Sequence, residues 1–115
     1  MAIEIFHNPR CSKSRATLAL LQERGYEPTI RLYLEDPPDT PELRTLLKKL
    51  GITARELLRK GEAEYRELGL ADPALDEHAL IDAMSSHPRL IERPIVVSGP
   101  RAALGRPPES VLDIL

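Results

Sequence analysis

What most constrains this chain is a strand pattern that turns into a helix pattern and back into a strand pattern within residues 3–34. Ile3, Ile5 and Phe6 read as a short strand, which Pro9 ends because its ring removes a backbone donor. A helix follows from about Cys11 to Arg24. It pairs Ala16 with Leu20 and Thr17 with Leu21 at i, i+4, and Gly25 is its stop. Thr29 to Leu34 is the second strand, with Ile30, Leu32 and Leu34 alternating. This is a βαβ unit, whose crossover is expected to be right-handed.

After the break at Pro37-Pro38 the pattern becomes helical. Thr40-Pro41-Glu42 is an N-cap followed by proline at the first helical position, and Leu43, Leu46, Leu47 and Leu50 trace one face before Gly51. Thr53-Ala54-Arg55-Glu56 is a capping box. Further helices are expected from Glu62 to Leu68 and from Asp76 to about His87, the latter with Leu80, Ile81 and Met84 inward. Strand character returns at Pro94 to Ser98, turns at Gly99-Pro100 and continues from Arg101 to Leu104, before a last helix from Glu109 to Leu115. A βαβ and then a ββα around one mixed four-stranded sheet is the thioredoxin-like arrangement. The fold class is therefore α/β, one domain over 1–115 with a helical insertion at about 40–88.

Composition narrows the function. The chain has 115 residues, the usual size of one core, with a net charge of −2 and no global basic field for nucleic acid. No apolar run approaches membrane-spanning length, and the start lacks a signal-peptide pattern, so a cytoplasmic protein with no membrane partner is expected. The single cysteine, Cys11, excludes an internal disulfide and a multi-cysteine metal site, and no metal or bound cofactor is expected.

Cys11 lies where the first strand gives way to the first helix. A helix N-terminus presents unpaired N–H groups and the positive end of its dipole, which favour thiolate over thiol. Arg10, Lys13 and Arg15 add positive charge nearby. A thiol ordinarily near ~8.5 can fall to roughly 3.5–7.5 in such places. The same N–H groups can cradle an oxyanion. Ser14 stands where a dithiol motif carries its resolving cysteine, so an intermediate on Cys11 needs an outside thiol such as glutathione or a glutaredoxin. Ser14 has two readings, thiolate partner or helix cap. His7 likewise is either a general base and tuner of the site or a structural loop residue. Arg59, Arg93 and Arg106 are candidate oxyanion ligands, since planar guanidinium forks suit such anions, though spacing alone favours three solvated arginines.

The string His7-Asn8-Pro9-Arg10-Cys11-Ser12-Lys13-Ser14-Arg15, then Leu57-Leu58-Arg59-Lys60, Glu92-Arg93-Pro94-Ile95-Val96-Val97 and Gly105-Arg106-Pro107-Pro108, resembles the glutaredoxin-linked arsenate reductases (ArsC type), closest to their YfgD-like branch. The resemblance implies an enzyme that reduces arsenate to arsenite. Cys11 would form the covalent adduct, and Arg59, Arg93 and Arg106 would hold the oxyanion. His7 and Ser14 would tune the thiolate, with glutathione and glutaredoxin as reducing partners. Pro94 matches the cis-proline that faces the active site in thioredoxin-like folds, which predicts a cis Arg93–Pro94 bond. The pattern departs at Ser12-Lys13, where well-studied members have Gly-Thr, so a side chain at residue 12 is expected to crowd an approaching anion. Two alternatives share the scaffold. One is an Spx-like redox or regulatory binding protein, against which Ser14 argues because it replaces the second cysteine of a disulfide switch. The other is a general glutathione-exchange enzyme without arsenate activity.

Overall fold

The computed structural model describes residues 2–115. Strands β1 (Ile3–Phe6), β2 (Thr29–Arg31), β3 (Ile95–Ser98) and β4 (Arg101–Leu104) form one sheet in the order β2-β1-β3-β4. β1 pairs parallel with β2 and antiparallel with β3, and β3 pairs antiparallel with β4. This is the mixed four-stranded sheet of a thioredoxin-like α/β fold, and the elements follow one another along the chain as the sequence leads one to expect. The chain divides into two compact units: the segments ending at Asp36 and beginning at Arg93, which contain the sheet, and Pro37–Glu92.

In the sheet unit, α1 (Ser12–Glu23) and a C-terminal 3-10 segment (Pro108–Ile114) pack together. Their core holds Ile3 and Ile5 of β1, Val96 of β3, Leu21 and Val111, with Leu18, Tyr26 and Ile114 at its margin. Alternation along β1 sends Phe6 to the opposite face, where it pairs with Ile95, and both are fully buried. The buried stripe of α1 is Ser14, Thr17 and Leu21. The expected Thr17–Leu21 pair is therefore inward, whereas Ala16 is exposed and Leu20 only half-buried.

Two expected elements differ. β2 stops at Arg31, because the Arg31 carbonyl takes the His7 N–H (2.8 Å) and the Leu32 carbonyl then accepts from Glu35 and Asp36, turning the chain. The alternating Ile30, Leu32 and Leu34 face solvent, and Tyr33 between the latter two is buried. The last helix is 3-10 rather than α. Val111 and Ile114 reach the core, a spacing of three that suits three residues per turn, and Leu115 is left exposed.

The helical unit contains α2 (Thr40–Leu50), α3 (Ala54–Leu57), α4 (Ala63–Glu67) and α5 (Glu77–Ser86). Leu43, Leu46 and Leu47 of α2, Leu57 of α3 and Leu80, Ile81 and Met84 of α5 are buried, and α5 packs on both α2 and α3. The N-cap of α2 is Asp39, one residue earlier than the expected Thr40, because its carboxylate reaches the Glu42 N–H (2.9 Å). Gly51 closes α2 in the left-handed region at φ 70°, where a side chain would be strained. The Thr53–Glu56 capping box forms as expected. Beyond α5, a 3-10 turn at Pro88–Leu90 leads to Ile91, which bridges Leu58 in antiparallel fashion.

Candidate active site

Strand register brings the site together. β1 and β3 pair Phe6 with Ile95, so the loop after Phe6 lies beside the Arg93-Pro94 step before Ile95. β3 and β4 pair Ile95 with Leu104, which sets Gly105 and Arg106 on the other side of that step. Three segments far apart in sequence thus meet at one end of the sheet, where Cys11 is the N-cap of α1.

The loop is held by its own hydrogen bonds. Asn8 accepts the Cys11 N–H on its carbonyl (3.0 Å) and the Arg10 N–H on Oδ1 (3.0 Å). The Asn8 N–H donates to Ser14 Oγ (3.0 Å), and that oxygen lies 2.7 Å from His7 Nδ1. His7, Asn8 and Ser14 are all buried. Burial, and then the positive charge of Arg15, lower the His7 pKa, so the ring is neutral at neutral pH.

Cys11 is partly exposed, and its thiol pKa lies below its ordinary value. Burial pushes it up and is the largest single influence. It is outweighed by the Ser14 N–H, the Arg93 guanidinium through hydrogen bond and charge, and the Lys13 N–H. The sulfur closes no capping hydrogen bond at ordinary geometry, yet these N–H groups face it closely enough to favour the anion. Arg106 Nη2 lies 4.0 Å from Sγ, and its Nε donates to the Arg93 carbonyl (2.8 Å), which ties the two arginines together. The Arg93–Pro94 bond is cis as expected, and Arg106–Pro107 is cis as well.

The expected tuners change places. The charges nearest in sequence, Arg10, Lys13 and Arg15, extend into solvent, with Arg15 Nη1 on the Pro9 carbonyl (2.9 Å). What acts on the sulfur is Arg93 together with the backbone of residues 13 and 14. Ser14 meets the sulfur through its amide, while its hydroxyl serves Asn8 and His7. Ser12 is exposed at the helix start. Arg59 belongs to the helical unit. There its Nη1 lies 2.6 Å from Glu92 Oε1 and its Nε 3.5 Å from Glu62 Oε1, so two carboxylates already offset its charge. Among the described residues no group of three His, Cys, Asp or Glu side chains could hold a metal.

The ArsC family model matches residues 6–114. The chain is also 51% identical over 114 residues to an arsenate reductase of Neisseria meningitidis, covering 98% of this chain and 97% of that one. It belongs to the ArsC family. Another ArsC relative is the uncharacterized protein YfgD of Escherichia coli K12, 59% identical over 114 residues and covering 98% and 96% of the two chains. The solved arsenate reductase from Vibrio cholerae superposes with a TM-score of 0.97 at 51% identity, covering 100% of this chain and 98% of that one.

Two supporting residues of this ArsC chain escaped the sequence reading. Asn8 carried a usable signal, since an asparagine in a strand-to-helix turn bonds its own backbone two residues on. Gly105 stands in the Gly105-Arg106-Pro107-Pro108 string, but nothing around it in sequence signals its packing role. A Cβ there would run into Thr17 Oγ1 and stand 2.7 Å from Pro94 Cγ, and the Gly105 N–H donates to the Pro94 carbonyl (2.9 Å). Thr17 cannot easily give way, because it is fully buried and donates to the Lys13 carbonyl (2.8 Å). Gly105→Ala should therefore destabilise the protein by about 1–3 kcal/mol through overpacking. Thr17→Ala in the same chain should return part of that loss. Urea unfolding of the two single variants and the double variant measures the coupling.

Proposed function

We propose that the protein is an arsenate reductase in which Cys11 is the nucleophile and Arg93 and Arg106 are oxyanion ligands. The observation that carries this reading is a partly exposed sulfur at the N-cap of α1 with Arg106 Nη2 4.0 Å away and Arg106 tied by its Nε to the Arg93 carbonyl (2.8 Å). The thiol pKa is also lowered there. The groups that stabilise a thiolate also receive a tetrahedral anion, so one constellation serves nucleophile and substrate. Arsenate meets this cradle as an electrophile, and Cys11 displaces one of its oxygens, which leaves as water once protonated. The full reduction needs two electrons: arsenic acid and two thiols give arsenous acid, one disulfide and one water. Cys11 is one of those thiols. The chain holds no second cysteine, so the other is external, glutathione with a glutaredoxin to reduce the mixed disulfide. A thiol that must stay reduced between turnovers suits a reducing compartment such as the cytoplasm.

Arg59 is proposed as a third oxyanion ligand, on the match of Leu57-Leu58-Arg59-Lys60 to the family pattern. Its pairing with Glu92 and Glu62 means that an anion competes with two carboxylates for it. His7 and Ser14 act by holding the loop that aims the amides at the sulfur.

Purified protein given arsenate, glutathione, glutaredoxin and an NADPH-recycling system should release arsenite, and Cys11→Ser should abolish it. Phosphate, as a tetrahedral stand-in, should slow alkylation of Cys11. Arsenite release no faster than that of Cys11→Ser would reject the reading.

A further inference from the structure

The second thiol needs somewhere to sit. Beside the Cys11 loop is a cleft of about 340 Å³ lined by residues 7–10 with Leu32, Leu34 and Glu35. Its apolar wall is unusual for this surface. Three of the five large apolar side chains exposed among the described residues, Ile30, Leu32 and Leu34, follow one another along this single segment. Isolated exposed leucines need no explanation, but a stripe bordering a reactive loop points to a ligand. The lining also carries opposite charges, Arg10 and Glu35, both exposed, and among the described residues neither is engaged in an ion pair within the chain.

We propose that this cleft is the subsite for glutathione. The inference rests on the reductase reading in making glutathione the second thiol. Leu32, Leu34 and Pro9 take the apolar middle of the tripeptide, Arg10 a carboxylate and Glu35 the γ-glutamyl ammonium. Three observations support this occupant. The volume lies near the lower end of small-ligand pockets, roughly 300–1,000 Å³, which suits a tripeptide and is far too small for a protein surface. The two signs of charge match a zwitterion, whereas Glu35 would repel a simple dicarboxylate. Residues 7–10 run directly into Cys11, so a peptide held here is bound by the nucleophile's own loop.

S-methylglutathione, which cannot react, is the probe. Added to the full chain, it should shift the backbone amide NMR signals of Asn8, Arg10, Leu32, Leu34 and Glu35. Arg10→Glu and Glu35→Lys should each weaken its binding about tenfold or more, the loss expected for one charged hydrogen bond, and raise the KM for glutathione more than they lower kcat. Shifts centred on Pro94 and Gly105 instead, or binding unaltered in both variants, would overturn the proposal. So would a Leu34→Glu variant that slows only the glutaredoxin-driven step and binds S-methylglutathione normally, since the stripe would then be a protein dock. Arsenite formation and phosphate protection in the unaltered protein score the reductase reading separately. If they fail, the probe still maps the cleft.

Discussion

Arg93→Ala should slow arsenite formation by roughly two to three orders of magnitude, the usual effect of deleting a preorganised anion donor. Two losses combine. Arg93 hydrogen-bonds the Cys11 sulfur and also supplies charge to it, whereas its backbone carbonyl, which accepts from the Arg106 Nε, remains in the variant. Without the side chain, burial, which pushes the thiol pKa up, is opposed by the Ser14 and Lys13 amides and by Arg106, whose Nη2 lies 4.0 Å from Sγ. The sign follows. In the unaltered protein the alkylation rate should rise with pH through a midpoint below the ordinary thiol value, and in Arg93→Ala that midpoint should move to higher pH. At any pH between the two midpoints the variant holds less thiolate. Arg93→Lys should fall between them, because an ammonium keeps the charge but not the planar fork. Rates of iodoacetamide alkylation across pH, read beside arsenite release, test both parts. An unmoved midpoint would remove Arg93 from thiolate stabilisation.

Phe6→Ala should cost about 3–5 kcal/mol, the range for deleting a large buried aromatic. Phe6 is the only phenylalanine in the chain, is 1% exposed, and pairs across β1–β3 with the fully buried Ile95. The Arg31 guanidinium stands 5.1 Å from its ring centroid, adding a cation–π contact that the alanine also loses. Domains are stable by only ~5–15 kcal/mol, so the variant should melt about 10–20 °C lower. Phe6 also immediately precedes the loop that carries Cys11, and the pairing it anchors sets Arg93-Pro94 beside that loop. A loss of phosphate protection at temperatures where the variant is still folded would show that packing and site geometry are linked. A melting change under a few degrees would mean the cavity collapses at little cost.

Much of this was legible in the residues. The strand–Pro9–Cys11–helix junction, the Thr53–Glu56 capping box, the Gly99-Pro100 hairpin and the cis bond before Pro94 all formed where expected. The first three are governed by interactions within a few residues, so a linear reading captures their energetics, whereas the cis bond was expected from the family resemblance. Errors arose where distant partners decide. Ile30, Leu32 and Leu34 alternate as a buried strand would, yet β2 lies at the edge of the sheet and turns away after Arg31. Val111, Leu112 and Leu115 are the apolar residues of the expected last helix, but the C-terminal segment takes a three-residue period that brings Val111 and Ile114 to the core instead.

By itself, the sequence determined that a lone thiol sits at a helix start, that Ser14 cannot resolve it, and that arginines precede the prolines at 94 and 107. Tertiary structure alone decided which charges reach that thiol. Arg10, Lys13 and Arg15 are closest along the chain and point to solvent, while Arg93 and Arg106, far along it, stand at the sulfur. The reason is register. Pairing Phe6 with Ile95 and Ile95 with Leu104 sets three chain segments side by side, and the bare Cα of Gly105 lets Thr17 and Pro94 close around it.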